Sequence, residues 1–322
     1  MDRKKILILG SHSFSGSCLV EKLLKSNKFD LISIYNSKKK NLFVPFDQKH
    51  KRIILNKKIN LLKDIKALIK ILKKTKPSYI VDFASNCNVN LSWIKTKEIN
   101  EINYLNKINL IKAISEESYL KKYIYISTPE VFGSNNFSIK ENSSNFNPSS
   151  PYATSKLAFE LFLKNYNKSF NFPVIFSRFS NFYGPNQAIK RLIPQLIIKI
   201  IKREKFILQG KGNFVRSYIY KDDFVSGIEK ILEKGVSGST YHFSGDDFYT
   251  TREVIKLACK LLNYSFLDLV IEGKERTSQD YCYKLDTKNT KKKLKWKNKI
   301  NLKKGILKIY RYYTRNPQYL KI

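Results

Sequence analysis

Lys5-Ile6-Leu7-Ile8-Leu9-Gly10-Ser11-His12-Ser13-Phe14-Ser15-Gly16 is the stretch on which the fold turns. Four apolar residues in a row end in glycine, and a helical pattern follows at about 15–26. A run this short and unbroken reads as a strand buried on both faces. A dinucleotide-binding loop needs a tight turn, close backbone approach to the pyrophosphate and a helix N-terminus aimed at it. Gly10 and Gly16 serve the first and last needs. Ser13 stands between them, and its Cβ crowds an approach that glycine would leave open. Alone, the spacing fits a ligand-free strand–turn–helix equally well.

The pattern repeats outward from this stretch. Apolar runs at 31–35, 52–55, 79–83, 122–127 and 173–179 alternate with helical patterns at 61–75, 98–117 and 152–169. In the first of these helices Leu61, Leu62, Ile65, Leu68, Ile69 and Leu72 recur at helical spacing, with Lys on the other face. Such alternation predicts α/β architecture, a doubly wound Rossmann-type parallel sheet with its ligand at the carboxyl ends of the strands. Beyond residue 184 the beat breaks into helices at about 190–203, 222–234, 251–262 and 302–313, with strands near 206–208, 215–220 and 240–243. We expect a dinucleotide-binding domain over 1–184, with 217–245 returning to it. A smaller substrate-binding lobe is expected from 185–216 and 246–322. Residues 135–151, rich in Ser, Asn and Pro, read as a loop.

The chain has 322 residues, 42% hydrophobic and 13% aromatic, which excludes general disorder. Its net charge of +35 invites nucleic acid or an anionic membrane. The charge is nearly all Lys spread along the chain, whereas only ten Arg, the better bidentate phosphate ligand, are present. That favours compositional drift over a polyanion partner. Cys18, Cys87, Cys259 and Cys282 are far apart and only three His occur, so no metal site is expected. The chain offers no apolar run of membrane-spanning length, and Ile6–Leu9 is too short for a secretory core. A cytoplasmic protein with reduced thiols is expected.

Two constellations carry chemistry. Tyr152 and Lys156 stand four residues apart on a helix after Pro148 and Pro151, hence on one face. A nearby ammonium favours a phenolate, which can take a proton from a hydroxyl while hydride leaves carbon. With 20 Tyr among so many Lys, about three such spacings arise by chance, and Tyr35/Lys39 is another. The run Ser127-Thr128-Pro129-Glu130-Val131-Phe132-Gly133 adds a hydroxyl and a carboxylate at a strand's carboxyl end. Thr128 could bond a substrate hydroxyl, and Glu130 could remove a proton beside a carbonyl. An ordinary strand-end turn with an exposed acid explains the pair equally well in isolation.

Taken in order, these segments resemble the extended short-chain dehydrogenase/reductases of the NAD-dependent epimerase/dehydratase family, and among them the dTDP-glucose 4,6-dehydratases. The resemblance runs through Phe83-Ala84-Ser85, Ser127–Gly133, Pro148–Lys156, Ser180–Pro185, Leu192-Ile193-Pro194, Gly210–Arg216, Tyr220–Asp223 and Arg276–Asp286. It implies a closed redox cycle. Tyr152, aided by Thr128, would deprotonate the sugar 4-hydroxyl as C4 hydride passes to nicotinamide, and Lys156 would hold the nicotinamide ribose. Glu130 would then take the C5 proton while water leaves C6. The resemblance implies cofactor contacts at Gly10, Ser13, Phe14, Ser15, Gly16, Asn36, Asn60, Ala84 and Ser85, besides Tyr152 and Lys156. It implies substrate contacts at Asn181, Leu192, Arg216 and Arg276, and a match of Asn103 to a helix Asn near the site.

Several positions depart from the family. Pro129 stands where the closest pattern has Asp, the acid for the departing hydroxyl, and it has no proton to give. GDP-mannose 4,6-dehydratases share Thr-x-Glu without that Asp, so Glu130 would serve both steps; UDP-glucuronate decarboxylases share it too. Tyr281 replaces a phosphate-binding Arg. The second strand ends Tyr35-Asn36-Ser37-Lys38 without the acid that reads the adenosine ribose of NAD. NAD is expected, with NADP possible through Lys38–Lys40. A 4-epimerase or decarboxylase remains an alternative, and an RNA-binding relative without catalysis another. The partners implied are a nucleotide sugar and a second copy of the chain. The second copy would pair helices 98–117 and 152–169 through Ile99, Ile102, Leu105, Leu110, Leu157, Leu161 and Leu163. Membrane and nucleic acid are not expected partners.

Overall fold

The computed structural model describes residues 3–37, 44–274 and 280–320. The alternation yields β1 Lys4–Leu9, α1 Phe14–Lys25, β2 Phe29–Tyr35, β3 Ile53–Lys58, α2 Ile65–Thr75, β4 Tyr79–Asp82, α3 Val89–Ile94, α4 Thr96–Asn100, α5 Asn106–Ile114, β5 Lys122–Ser127, β6 Ser138–Ile139, α6 Pro151–Phe170 and β7 Val174–Phe179. β8 Asn181–Tyr183 follows. The rest holds α7 Leu192–Lys202, β9 Phe206–Gln209, β10 Val215–Tyr220, α8 Lys221–Lys234, β11 Thr240–Phe243, β12 Phe248–Thr250, α9 Thr251–Leu261, α10 Phe266–Leu269, β13 Val270–Gly273, β14 Lys284–Leu285, α11 Lys288–Leu294 and α12 Leu302–Arg315.

Seven parallel strands lie in the order β3-β2-β1-β4-β5-β7-β11. The doubly wound expectation is met, and the winding reverses between β1 and β4, where such sheets open a crevice. Successive side chains of a strand face opposite sides. Ile6 and Ile8 therefore join a core with α1 and α8, while Leu7 and Leu9 join one with α2, α5 and α6. A third core, around Leu196, Leu208, Ile255 and Ile306, lies between α7, α9, α12 and the strands β8 and β10.

Four details differ from the pattern reading. α2 starts at Ile65, because Asp64 accepts from Asn60 N and Asn60 accepts from Leu62 N, holding 60–64 in a turn. The 98–117 pattern is interrupted by a π-helical turn at Glu101–Leu105, whose buried Asn103 donates to Ser155 Oγ at 3.0 Å. The short α3, capped by Asn88, had no periodic signal. Within the 135–151 loop, β6 pairs with β14 and ties that loop to the segment beyond residue 280.

Candidate active site

The loop after β1 is shaped for close approach. Gly10 has φ +86°, and a Cβ there would lie 3.1 Å from Ala84 N. A Cβ on Gly16 would meet Gly10 O at 2.3 Å, so the glycines seat the loop against the end of β4. Ser13 caps α1: it accepts from Gly16 N at 3.1 Å and donates to Gly10 O at 2.7 Å. The N–H groups of Phe14 and Ser15 precede any helical carbonyl partner, which suits them to an anion. These residues fit a dinucleotide's pyrophosphate. Half-buried Ala84 and Ser85 follow β4 on the other side of the crevice.

The adenosine end is less conventional. Asn36 is exposed, and Asn60 has its side chain in the turn before α2. His12 stacks on Tyr35 with centroids 3.7 Å apart, covering the end of β2 where an acid was sought. Burial holds the imidazole down at about 4, against neighbouring Asn56, which acts to raise it. Lys38–Lys40 lie outside the described residues.

On the nicotinamide side, Ser150 caps α6 by accepting from Ala153 N, and Pro151 opens the helix. Tyr152 therefore sits in the first turn, buried. Thr128, at the end of β5, caps a short turn of helix that begins at Pro129, and accepts from Glu130 N at 3.3 Å. Its side chain also bears on Tyr152, acting to lower that phenol. Burial and then the Glu130 charge hold the Tyr152 proton well above the usual phenol range. Glu130, half-buried, is pushed up to about 7 by burial and by the Asp280 carboxylate, against Arg216 and Arg191. Lys156 shares the helix face of Tyr152, yet its ammonium donates to Ile126 O at 2.7 Å and rests 4.2 Å from the Tyr125 ring centroid. Burial, followed by the charge of Lys107, lowers it to about 7.

Farther along α6, Glu160 is fully buried. It accepts from Ser127 Oγ at 2.7 Å and pairs with Lys164 at 3.0 Å and with buried Arg178. Arg178 also reaches His242 Nε2 at 2.9 Å. Burial would raise the Glu160 carboxyl, but Arg178, Lys164 and Ser127 together hold it below the usual range.

On the substrate side, Asn181 opens β8 and accepts from the Tyr283 hydroxyl at 3.0 Å, while Leu192 opens α7. Arg216 is buried, with its guanidinium on the carbonyls of Val215, Asp280 and Tyr281 and 4.3 Å from the Tyr283 ring centroid. It fastens the 280–283 segment and supplies positive charge to Glu130. Arg276 lies outside the described residues. Asp280 carries no local signal in the sequence, because tertiary contacts, among them those of Arg216 and Ser134, bring it to Glu130. Exposed Arg191, immediately before Leu192, was also missed. It bears on Glu130 and Tyr152 and donates to Cys87 Sγ at 3.7 Å. The scarcity of Arg beside a site segment was the one available signal.

The family model "NAD dependent epimerase/dehydratase family" matches residues 6–243. A dTDP-D-glucose 4,6-dehydratase of Dictyostelium discoideum is 34% identical over 81% of this chain, which spans 62% of that relative's length. The crystal structure of a dTDP-glucose 4,6-dehydratase from Streptomyces venezuelae with NAD and TYD bound is 26% identical. The two superpose with a TM-score of 0.86 over 98% of both chains. A UDP-glucose 4-epimerase from Thermotoga maritima reaches 0.87 at 22% identity over 97% of this chain and 99% of its own, a likeness of fold alone. Fold similarity therefore does not separate dehydration from epimerisation. From the matched model and these relatives, the chain belongs to the NAD-dependent epimerase/dehydratase family.

Proposed function

We propose that the protein is a nucleotide-sugar 4,6-dehydratase, a lyase that converts an NDP-hexose into the NDP-4-keto-6-deoxyhexose with bound NAD. The observation that carries this is Glu130, a carboxyl pushed up to about 7 beside Thr128 and within electrostatic reach of Tyr152. Epimerisation at C4 needs only the Tyr, Lys and Thr. An acid able to gain and lose a proton near neutrality is what elimination across C5 and C6 requires in addition.

The nicotinamide, when bound, supplies the acceptance and return of a hydride. Tyr152 Oη takes the proton of the sugar 4-hydroxyl, with Thr128 Oγ1 orienting it. Burial and the Glu130 charge keep the phenol protonated in the free protein, so Tyr152 would have to give that proton to solvent, helped by the positive charge of a bound nicotinamide, before it takes the sugar's. Lys156 holds the cofactor's ribose and supplies positive charge. Glu130 takes the C5 proton through a carboxylate oxygen and passes one to the departing C6 hydroxyl; as the hydride returns to C6, C5 regains a proton that comes from solvent. Pro129 has no proton to offer, so one residue serves both steps. Asp280 and Arg216 oppose each other in setting its affinity for that proton.

Asn181, Leu192 and Arg216 are proposed to face the nucleotide diphosphate, the last two from a lobe made by 185–216 and 246–322. A homodimer is proposed through the helices of 98–117 and 152–169. Ile99, Leu110, Leu157 and Leu163 are buried within the chain, whereas Leu105 and Leu161 remain exposed, as do Trp93 and Ile94 of α3. No described helix is long and apolar enough to cross a membrane; with four free thiols, a cytoplasmic location is proposed. Incubation with a panel of nucleotide-hexoses should give a product lighter by one water, and Tyr152→Phe should give none. An unchanged mass with conversion would mean epimerisation, and loss of carbon dioxide a decarboxylase.

A further inference from the structure

Beneath the proposed nicotinamide site lies an ion pair that the mechanism above leaves without a task. Lys107 on α5 and Asp82 at the end of β4 are both fully buried, with Nζ and Oδ2 2.7 Å apart. A buried pair is weak as a stabilising device, because desolvation cancels most of its Coulomb attraction. Its contacts point to the site instead. Lys107 Nζ also donates to the carbonyl of Ala84. Asp82 Oδ1 accepts from Ala84 N at 3.0 Å, and Asp82 Oδ2 accepts from the Tyr123 hydroxyl at 2.7 Å. Both backbone polar groups of Ala84 are thus held by one ion pair, where a Cβ on Gly10 would touch Ala84 N. The Tyr125 ring has Lys107 Nζ 5.7 Å and Lys156 Nζ 4.2 Å from its centroid, so two ammonium groups share one aromatic ring.

We propose that Lys107 and Asp82 are positioning residues for the cofactor half of the site: they fix the Ala84–Ser85 turn and set the electrostatic surroundings of Lys156. This rests on the reading of Lys156, Ala84 and Ser85 as cofactor contacts. The groups bearing on Lys156 are Lys107 from α5, Asp82 from β4, Glu160 from its own helix and Cys87 from the loop before α3. Lys107 opposes the charge on Lys156, and the other three favour it. A charged donor grips a ribose hydroxyl more firmly than a neutral amine, so NAD affinity should fall as pH rises through the Lys156 titration.

The test is NAD affinity by calorimetry from pH 6 to 10, on protein freed of cofactor, beside the nucleotide-hexose assay. Lys107→Met removes the like charge, so its inflection should move up by about one unit and NAD should bind about tenfold more weakly because the turn is loosened. Lys107→Gln keeps a donor towards Ala84 and should show the same upward shift with less loss of affinity. Lys107→Arg should restore the wild-type inflection. Asp82→Asn should move it down. Opposite shifts are the signature, since a merely structural pair would lower thermal stability in both variants and leave the inflection in place. An unmoved inflection in Lys107→Gln and Asp82→Asn overturns the inference. Wild-type protein that dehydrates no nucleotide-hexose overturns the functional reading instead, and the two failures are separable.

Discussion

Glu130 and Glu160 belong to adjacent parts of one region and live under opposite electrostatics. Glu160 is fully buried, yet the Arg178 guanidinium, the Lys164 ammonium and the Ser127 hydroxyl keep it ionised. Glu130 is less buried, yet its carboxylate neighbour Asp280 and its desolvation raise it to about 7. The first fastens the end of β5 to α6, setting Thr128 against Tyr152. The second is left free to trade a proton. Role follows partner charge, since burial alone would rank the two the other way.

The sharpest way to break this contrast is to neutralise each acid or its partner. Glu130→Gln should lower kcat for dehydration by about 10²–10⁴, read by product mass, with the fold intact by circular dichroism. Arg178→Met leaves Glu160 buried without its principal counter-charge and should cost about 3–5 kcal/mol in urea denaturation. Full stability with this variant would undo the structural role given to Glu160.

The two acids should also respond oppositely to pH. Glu160 has a lowered folded value, so its stabilisation is present above the unfolded carboxyl range and lost as pH falls through the folded one. Glu130 has a raised folded value, so the folded state loses stability as pH rises from the unfolded range to about 7. Glu130→Gln removes that liability. It should be more stable than wild type at pH 8 by roughly 1–3 kcal/mol, and indistinguishable near pH 4. The smallest effect belongs to Asp280→Asn. With that charge gone, the acidic inflection in the pH dependence of dehydration should move down by about one unit, while KM changes little.

Most of the scaffold was legible because it depends on local patterns. Unbroken apolar runs gave β1, β4, β5 and β7, and the caps at Ser13 and Ser150 opened α1 and α6 where the motifs required. Thr128, Glu130, Tyr152 and Lys156 were legible as types at strand and helix ends. What each side chain does was less so, because that depends on partners distant in sequence. Asp280 reaches Glu130 through contacts such as those of Arg216 and Ser134 and the pairing of β14 with β6. Arg216 looked like a phosphate ligand by position and is occupied with carbonyls. Nor does periodicity reveal that Lys107, inside an amphipathic helix, points inward to Asp82, or that Asn103 shapes a π-helical turn. A lysine on an apolar face reads as noise until its acid is seen.

Transfer of the C5 proton by Glu130 leaves an isotopic trace. The direct measurement is the product mass when dehydration of an accepted nucleotide-hexose runs in deuterium oxide. The wild type should lose one water and gain one deuterium at C5, because the proton returned there comes from a group that exchanges with solvent. Glu130→Gln should show both changes only at a rate lowered by about 10²–10⁴. Water loss by Glu130→Gln at the wild-type rate, or a wild-type product without deuterium at C5, would contradict the account.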